Sequence, residues 1–322
     1  MSSPRQPALP EPRIVALGGG TGLSTLLRGL KEHTPFITAI VAVTDTGGSS
    51  GRLRSELGIL PPGDIRDCLI ALAETEPVMK QLFQYRFPSG SSLAGHCFGN
   101  LFLATMCKVT NNLETAIAAT SRVLAVKGQV LPATLTSANL LAQYEDGIIA
   151  RGETKIASST APIRRLSLDP PTCRPVPAAL IAIQKADLIV LGPGSLYTSV
   201  LPNVLVEGIP AALAASPAIK AYVVNVMTQP GETDGYTASD HVRAVIDYCG
   251  KGVIDWVLVN TELPSGAALA RYREEGSEPT SVDRKELAVI GPRVKEASLL
   301  SHNNMVRHDP DKLAQALLSL IN

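Results

Sequence analysis

The chemistry-bearing residues of this chain are glycines, hydroxyls and a few acids, gathered in short runs. The first run, GGGTGLST over residues 18–25, follows an apolar stretch from Ile14 to Leu17 and precedes a helical pattern. Such a loop suits an anion. Glycines let backbone approach a ligand closely and take positive φ. The following helix N-terminus offers unpaired N–H groups and partial positive charge. Thr21 or Ser24 either caps that helix or bonds a phosphate oxygen. Two standard signatures are missed. A dinucleotide fingerprint counted from Gly18 and Gly20 needs a third glycine where Leu23 stands, and a nucleotide P-loop needs a lysine after Gly22. A tight strand-to-helix turn with no ligand is the alternative.

The second run, TDTGGSSGRLR over residues 44–54, is the most informative. Asp45 stands where a classical dinucleotide binder keeps its ribose acid. Gly47, Gly48, Ser49, Ser50 and Gly51 then read as an anion nest, with Arg52 and Arg54 beside it. An acid inside a phosphate site holds a metal ion or a sugar hydroxyl; its bland alternative is an Asx-turn or a cap. In LPPGDIRD (60–67), Asp64 reads first as an N-cap and second as a partner of Asp45 at a magnesium ion, with Asp67 as a substitute. In GHCFGN (95–100), Asn100 caps a helix or reaches into the crevice, and His96 reads as a structural hydrogen-bonding group because no nucleophile or orienting acid accompanies it.

The elements that must position these runs alternate. Apolar runs at 14–17, 38–43, 187–191, 222–226 and 256–260 are continuous, as in strands buried on both faces. Helical patterns at 21–31, 65–73, 100–108, 113–124, 241–249 and 311–321 fit between them. The pattern predicts a doubly wound, mostly parallel α/β fold. In such folds ligands bind beyond the carboxyl ends of the strands. Four of the five predicted ends carry Gly, Ser, Thr or Asn runs: 18–22, 44–51, 192–199 and 227–235. Turns favour the same residues, yet four on one edge argue for a site. Residues 130–168 break the alternation, and Asp146-Gly147 there is a hairpin signal, so a small antiparallel insertion is expected. Residues 1–12 read as a polar, Pro-rich tail and 13–322 as a single domain.

Composition narrows the partners. Lys+Arg 29 balances Asp+Glu 29, and aromatics are only 4%. No basic stripe or stacking platform suggests nucleic acid. No apolar run approaches the roughly 18 residues of a membrane helix, and the N-terminus lacks the apolar core of a signal peptide. Five scattered cysteines without a C-x-x-C pair argue against a disulfide framework or zinc, and predict reduced thiols in a cytoplasmic protein.

Taken together, the blocks at 18–23, 44–54, 57–66, 95–100, 191–199 and 225–242 resemble the YvcK-type gluconeogenesis factor family, within the CofD-like (2-phospho-L-lactate transferase) superfamily. The similarity runs from about Arg13 to the segment Arg307–Leu313. It implies a Rossmann-like fold and two competing activities. One is a homodimeric binder of nucleotide diphosphate sugars such as UDP-N-acetylglucosamine, tied to gluconeogenic growth, cell-wall synthesis and cell shape. The other is a magnesium-dependent transferase moving a phosphoester group from an activated nucleotide. The NVMTQPGETDG block (225–235) matches the first branch. Many members carry two adjacent acids after the second strand, whereas here Thr46 follows Asp45.

The residues carried over are these. Gly19, Gly20, Thr21 and Gly22 are expected to face a diphosphate. Asp45, Gly48, Ser49, Ser50 and Asn100 are expected in the same crevice. Gly194 and Ser195 approach from the facing loop, and Asn225, Thr228 and Gln229 contact the nucleotide or sugar. Arg307 resembles an arginine used at the nucleotide-sugar site, for which its planar, charge-assisted fork is suited. Read without the resemblance, Arg307 is a surface cation before a last helix capped by Asp309. Magnesium, if used, falls to Asp45 and Asp64.

Overall fold

A computed structural model describes residues 11–159, 161–301 and 305–321. The expected tail lies outside the described residues except for Glu11 and Pro12. The first strand, β1 (Ile14–Gly18), is followed by helix α1 (Gly20–Leu30), β2 (Ile37–Val41), helices α2 (Gly48–Leu57) and α3 (Gly63–Leu72), and then β3 (Gln129–Pro132). β4 (Asn139–Tyr144), β5 (Ile149–Arg151) and β6 (Ile163–Asp169) form a separate three-stranded antiparallel sheet. β7 (Leu188–Leu191), β8 (Ile219–Val223), β9 (Trp256–Asn260) and β10 (Arg293–Ala297) return to the main sheet. Its order is β10-β9-β8-β7-β1-β2-β3, and every pairing is parallel.

The sheet is covered on both faces. Val15 and Leu17 of β1 join one buried apolar cluster, while Ile14 and Ala16 join the other. This double burial is why the strand sequences are continuously apolar. The chain leaves β1 for β2 on one side and later returns through β7 on the other. Strand order therefore reverses at β1, and a crevice must open between the loops leaving β1 and β7.

Three expectations need correction. β3 belongs to the main sheet, so the insertion spans β4 to β6 and not 130–168. The edge strands β3 and β10 were missed because edges are short and polar: QVLP ends in proline and RVKEA is mostly charged. The glycine-serine run after β2 is not a free nest, since Gly48 begins α2 and Ser49 and Ser50 lie in its first turn. The Asp146-Gly147 hairpin is present, joining β4 to β5 with Gly147 at φ 86°. Four of the five cysteines are buried and all are free. Among the described residues no single helix is long and apolar enough to cross a membrane.

Candidate functional site

A cavity of about 460 Å³ opens at the β1/β7 reversal. One wall is the loop and first turn of α1, Gly19 to Gly22 with Thr25. The facing wall is Pro193, Gly194 and Ser195 after β7. The loop after β8 supplies Asn225 to Gln229 and Glu232, and Arg307 and His308 close the far side. Of the expected ligand residues, the cavity therefore gathers Gly19, Gly20, Thr21, Gly22, Gly194, Ser195, Asn225, Thr228, Gln229 and Arg307.

The glycines serve the protein as well as any ligand. A Cβ on Gly22 would lie 2.7 Å from the carbonyl carbon of Pro193 and 2.8 Å from Cα of Gly194, so this glycine lets the two loops touch. A Cβ on Gly19 would collide with the Asp64 carboxylate. Neither Thr21 nor Ser24 caps α1: its N-cap is Gly19, with no side-chain bond, and Ser24 and Thr25 instead donate to the Thr21 carbonyl. The Asp64 carboxyl lies against this turn, where the Gly20 backbone N–H favours its charged form.

That corrects the capping role expected of Asp64. It lies inside the first turn of α3, whose N-cap is Pro62, and makes no cap bond. Burial, then the nearby Asp45 and Asp67 charges, push its carboxyl up to about 7. A second displaced acid, Glu153 on the cavity wall, is pushed up to about 8 by burial and by Asp45, Asp64 and Glu232. Glu153 and Glu232, which line the cavity, and Asp45 and Asp64, which do not, thus form a cluster of carboxyl groups that cannot all ionise cheaply. The opposite side is basic. Arg307 is exposed there, and it lies close enough to Arg28 to help burial lower that guanidinium.

Several expected ligand contacts are engaged internally. Asn225 Oδ1 accepts the Gly194 N–H at 3.1 Å and its Nδ2 donates to the Gly194 carbonyl at 2.7 Å, which fixes the facing loop. Ser195 Oγ donates to both oxygens of Glu232 at 2.8 Å. Thr198 Oγ1 and the Tyr197 N–H also bond that carboxylate, whose burial nevertheless raises its pKa. Thr228 exchanges hydrogen bonds with the Glu278 backbone. These residues shape the cavity through the loops they hold.

Asp45, Gly48, Ser49, Ser50 and Asn100 do not line it. Asp45 Oδ1 closes an Asx-turn on the Gly47 N–H at 2.7 Å. Ser49 Oγ pairs with His96 Nδ1 at 3.0 Å, so His96 has the structural role expected. Ser50 packs beneath Gly63, between α2 and α3. Asn100 neither caps its helix, where Cys97 is the N-cap, nor reaches the crevice; its Oδ1 accepts from Arg66 Nη1 at 2.7 Å. The reason is Arg66, which sits buried between α3 and that helix and takes Asn100 and Asp67 as partners.

Sequence reasoning missed Glu153, Glu232 and His308. Glu232 was legible within its loop, but nothing local marked it as buried. Glu153 comes from the insertion and meets the glycine loop only through tertiary packing. His308 is buried, and that burial lowers its pKa to about 4, with the nearby Val224 backbone acting weakly in the opposite sense. It is neutral at ordinary pH, and its Nε2 has no partner among the described residues. Asp309 does cap the last helix, accepting from the Asp311 and Lys312 N–H groups.

The 2-phospho-L-lactate transferase CofD family model matches residues 14–300. The gluconeogenesis factor of Halalkalibacterium halodurans is 50% identical over 306 residues, covering 95% of each chain. That of Bacillus subtilis is 47% identical, covering 97% of this chain and 98% of its own. A putative gluconeogenesis factor of Nostoc sp. is 53% identical over 95% of this chain and 68% of its own length. The crystal structure of a UPF0052-family protein from Bacillus halodurans superposes with a TM-score of 0.93 at 49% identity, covering 95% of this chain and 99% of that one. With its doubly wound sheet and its cavity at the strand-order reversal, the chain belongs to the CofD-like family, among the gluconeogenesis factors.

Proposed function

We propose that this protein is a cytoplasmic regulatory binder of a nucleotide diphosphate sugar resembling UDP-N-acetylglucosamine, acting in gluconeogenic growth, cell-wall synthesis and cell shape. The observation that carries the reading is the convergence of the α1 glycine turn, the Pro193–Ser195 loop and Arg307 on one cavity. Backbone N–H groups and a guanidinium suit a diphosphate. Val226, Met227, Tyr272 and Val306 give the same cavity apolar and aromatic surface for a base or sugar face. No nucleophile–base–orienter set faces the cavity among the described residues, which favours binding over turnover. The reading includes a homodimer, supported by Ile148 and Ile149, each 62% exposed on the β4–β5 hairpin. Sedimentation at micromolar concentration showing only monomer would remove the dimer.

The carboxyl cluster favours a second reading, a magnesium-dependent transferase. Asp64 is pushed toward neutrality first by burial and then by Asp45 and Asp67, and a cation would relieve the repulsive part. Magnesium is usually bound through one or two carboxylates together with substrate phosphates, so Asp45 and Asp64 fit it in kind. No three described His, Cys, Asp or Glu side chains are arranged to hold an ion alone. In that reading the ion would neutralise phosphate charge, while the α1 turn orients the diphosphate.

Calorimetric titration with UDP-N-acetylglucosamine, with and without magnesium, followed by mass spectrometry, separates the two. Saturable binding with intact ligand supports the binder. Magnesium-dependent conversion supports the transferase. No binding in either condition rejects the sugar-nucleotide reading.

A further inference from the structure

A second groove, of about 680 Å³, runs along α2 and is distinct from the cavity. We infer that it is a second ligand site, for a small molecule carrying an oxyanion, either phosphate or carboxylate. Arg52 and Arg54 both line it, and no carboxylate does. Each guanidinium is gripped at one nitrogen by a carbonyl. Arg52 Nη2 donates to Ala94 O at 2.7 Å, and Arg54 Nη2 to Ala138 O at 2.7 Å and Ser137 Oγ at 3.3 Å. Neither arginine forms an ion pair among the described residues. Carbonyl anchors fix the direction of a guanidinium without neutralising it, which leaves the rest of its fork ready for an oxyanion.

The second observation is Arg54 Nη1, which is buried and has no hydrogen-bond partner. Buried donors are almost always paired, so this nitrogen stands to gain from an acceptor brought within reach when the guanidinium turns toward the groove. Among the neighbouring charges Asp45 acts on Arg54 more strongly than Arg151 does, and Arg151 is itself paired with Asp169 at 2.7 Å, so the positive charge offered to the groove is that of Arg52 and Arg54. The Asp45 charge is partly engaged by the Gly47 N–H.

The groove and the cavity share a wall. Thr46 lines the groove, and its Oγ1 lies 3.5 Å from the Thr154 N–H; Glu153, the preceding residue, lines the cavity. A ligand in the groove therefore sits across one layer of protein from the carboxyl cluster. The inference stands whether or not the cavity binds a sugar nucleotide.

The test is calorimetric titration of the full chain with pyrophosphate and, separately, citrate. The proteins are wild type, Ser55→Glu, Arg52→Gln and Arg307→Ala. Ser55 and Arg52 are exposed, so their variants keep the core intact, and Ser55→Glu brings a competing carboxylate into the groove. We expect at least one anion to bind wild type and Arg307→Ala alike, and to lose tenfold or more in Ser55→Glu and Arg52→Gln. Pyrophosphate alone would identify a phosphorylated ligand and citrate alone a carboxylate. No binding of either anion to wild type, unchanged affinity in both groove variants, or loss only in Arg307→Ala would overturn the inference.

Discussion

Gly22→Ala tests the account of the glycine loop because two physical effects predict opposite signs. Gly22 lies in the first turn of α1, and its backbone is not in the left-handed region. Helix propensity alone predicts that alanine stabilises, by about 0.4–1 kcal/mol through the unfolded chain. Packing predicts the reverse. The new Cβ would stand 2.7 Å from the Pro193 carbonyl carbon and 2.8 Å from Gly194 Cα, with the Pro193 oxygen nearer still. All three are backbone atoms of a loop that Asn225 clamps with two hydrogen bonds, so no side chain can swing aside. Restoring ordinary contact requires the loops to part by roughly 0.7 Å or more. Overpacking of this kind costs about 1–3 kcal/mol, which outweighs the propensity gain. Gly266, in the first turn of another helix with nothing within 4 Å of its Cβ position, is the control and should accept alanine at no cost. Urea unfolding should give Gly22→Ala a lower midpoint at unchanged m, and its sugar-nucleotide affinity should fall because the parted loops are the cavity walls. A Gly22→Ala protein as stable as wild type, or more so, would refute the contact as the reason for glycine.

Three further predictions follow from the same geometry. Asp64 and Glu153 keep their protons to about 7 and about 8 in the fold, against 3.8 and 4.5 as ordinary values. The folded state therefore binds more protons than the unfolded chain from about pH 4 upward, and stability should fall as pH rises to 7–8, by up to about 1.4 kcal/mol per unit per group. Asp64→Asn should flatten the profile between pH 5 and 7, and a wild-type unfolding free energy that is flat from pH 5 to 8 would contradict the cluster. Arg307→Ala should weaken nucleotide-sugar binding by about 1.5–3 kcal/mol while changing stability by less than about 0.5 kcal/mol; unchanged affinity by calorimetry would remove Arg307 from the site. Asn100→Ala should destabilise by about 1–3 kcal/mol, because it strips a partner from buried Arg66, and leave ligand affinity unchanged. A folded Asn100→Ala protein with tenfold weaker binding would return Asn100 to the site.

Local sequence determined what depends on periodicity and turn chemistry. Five of the seven main-sheet strands announced themselves because burial on both faces demands continuous apolar residues. The hairpin at Asp146-Gly147 and the Asp309 cap were legible because each is a bond between near neighbours. Chain order alone placed the glycine loops at strand ends, and hence on one edge of the sheet. Tertiary structure decided which of their residues face the cavity. Asn100 and Ser49 carry the right chemistry, but Arg66 and His96, brought from other segments, engage them elsewhere. Asp64 looked like a cap and became a displaced carboxyl, because α3 packs on α1 and drives it against Gly19 and Gly20. Glu153 reached the site from an insertion more than a hundred residues away along the chain. The separation has one physical cause. Backbone conformation is set largely by neighbours in sequence, while the solvation and charge of a side chain are set by whatever the fold packs around it.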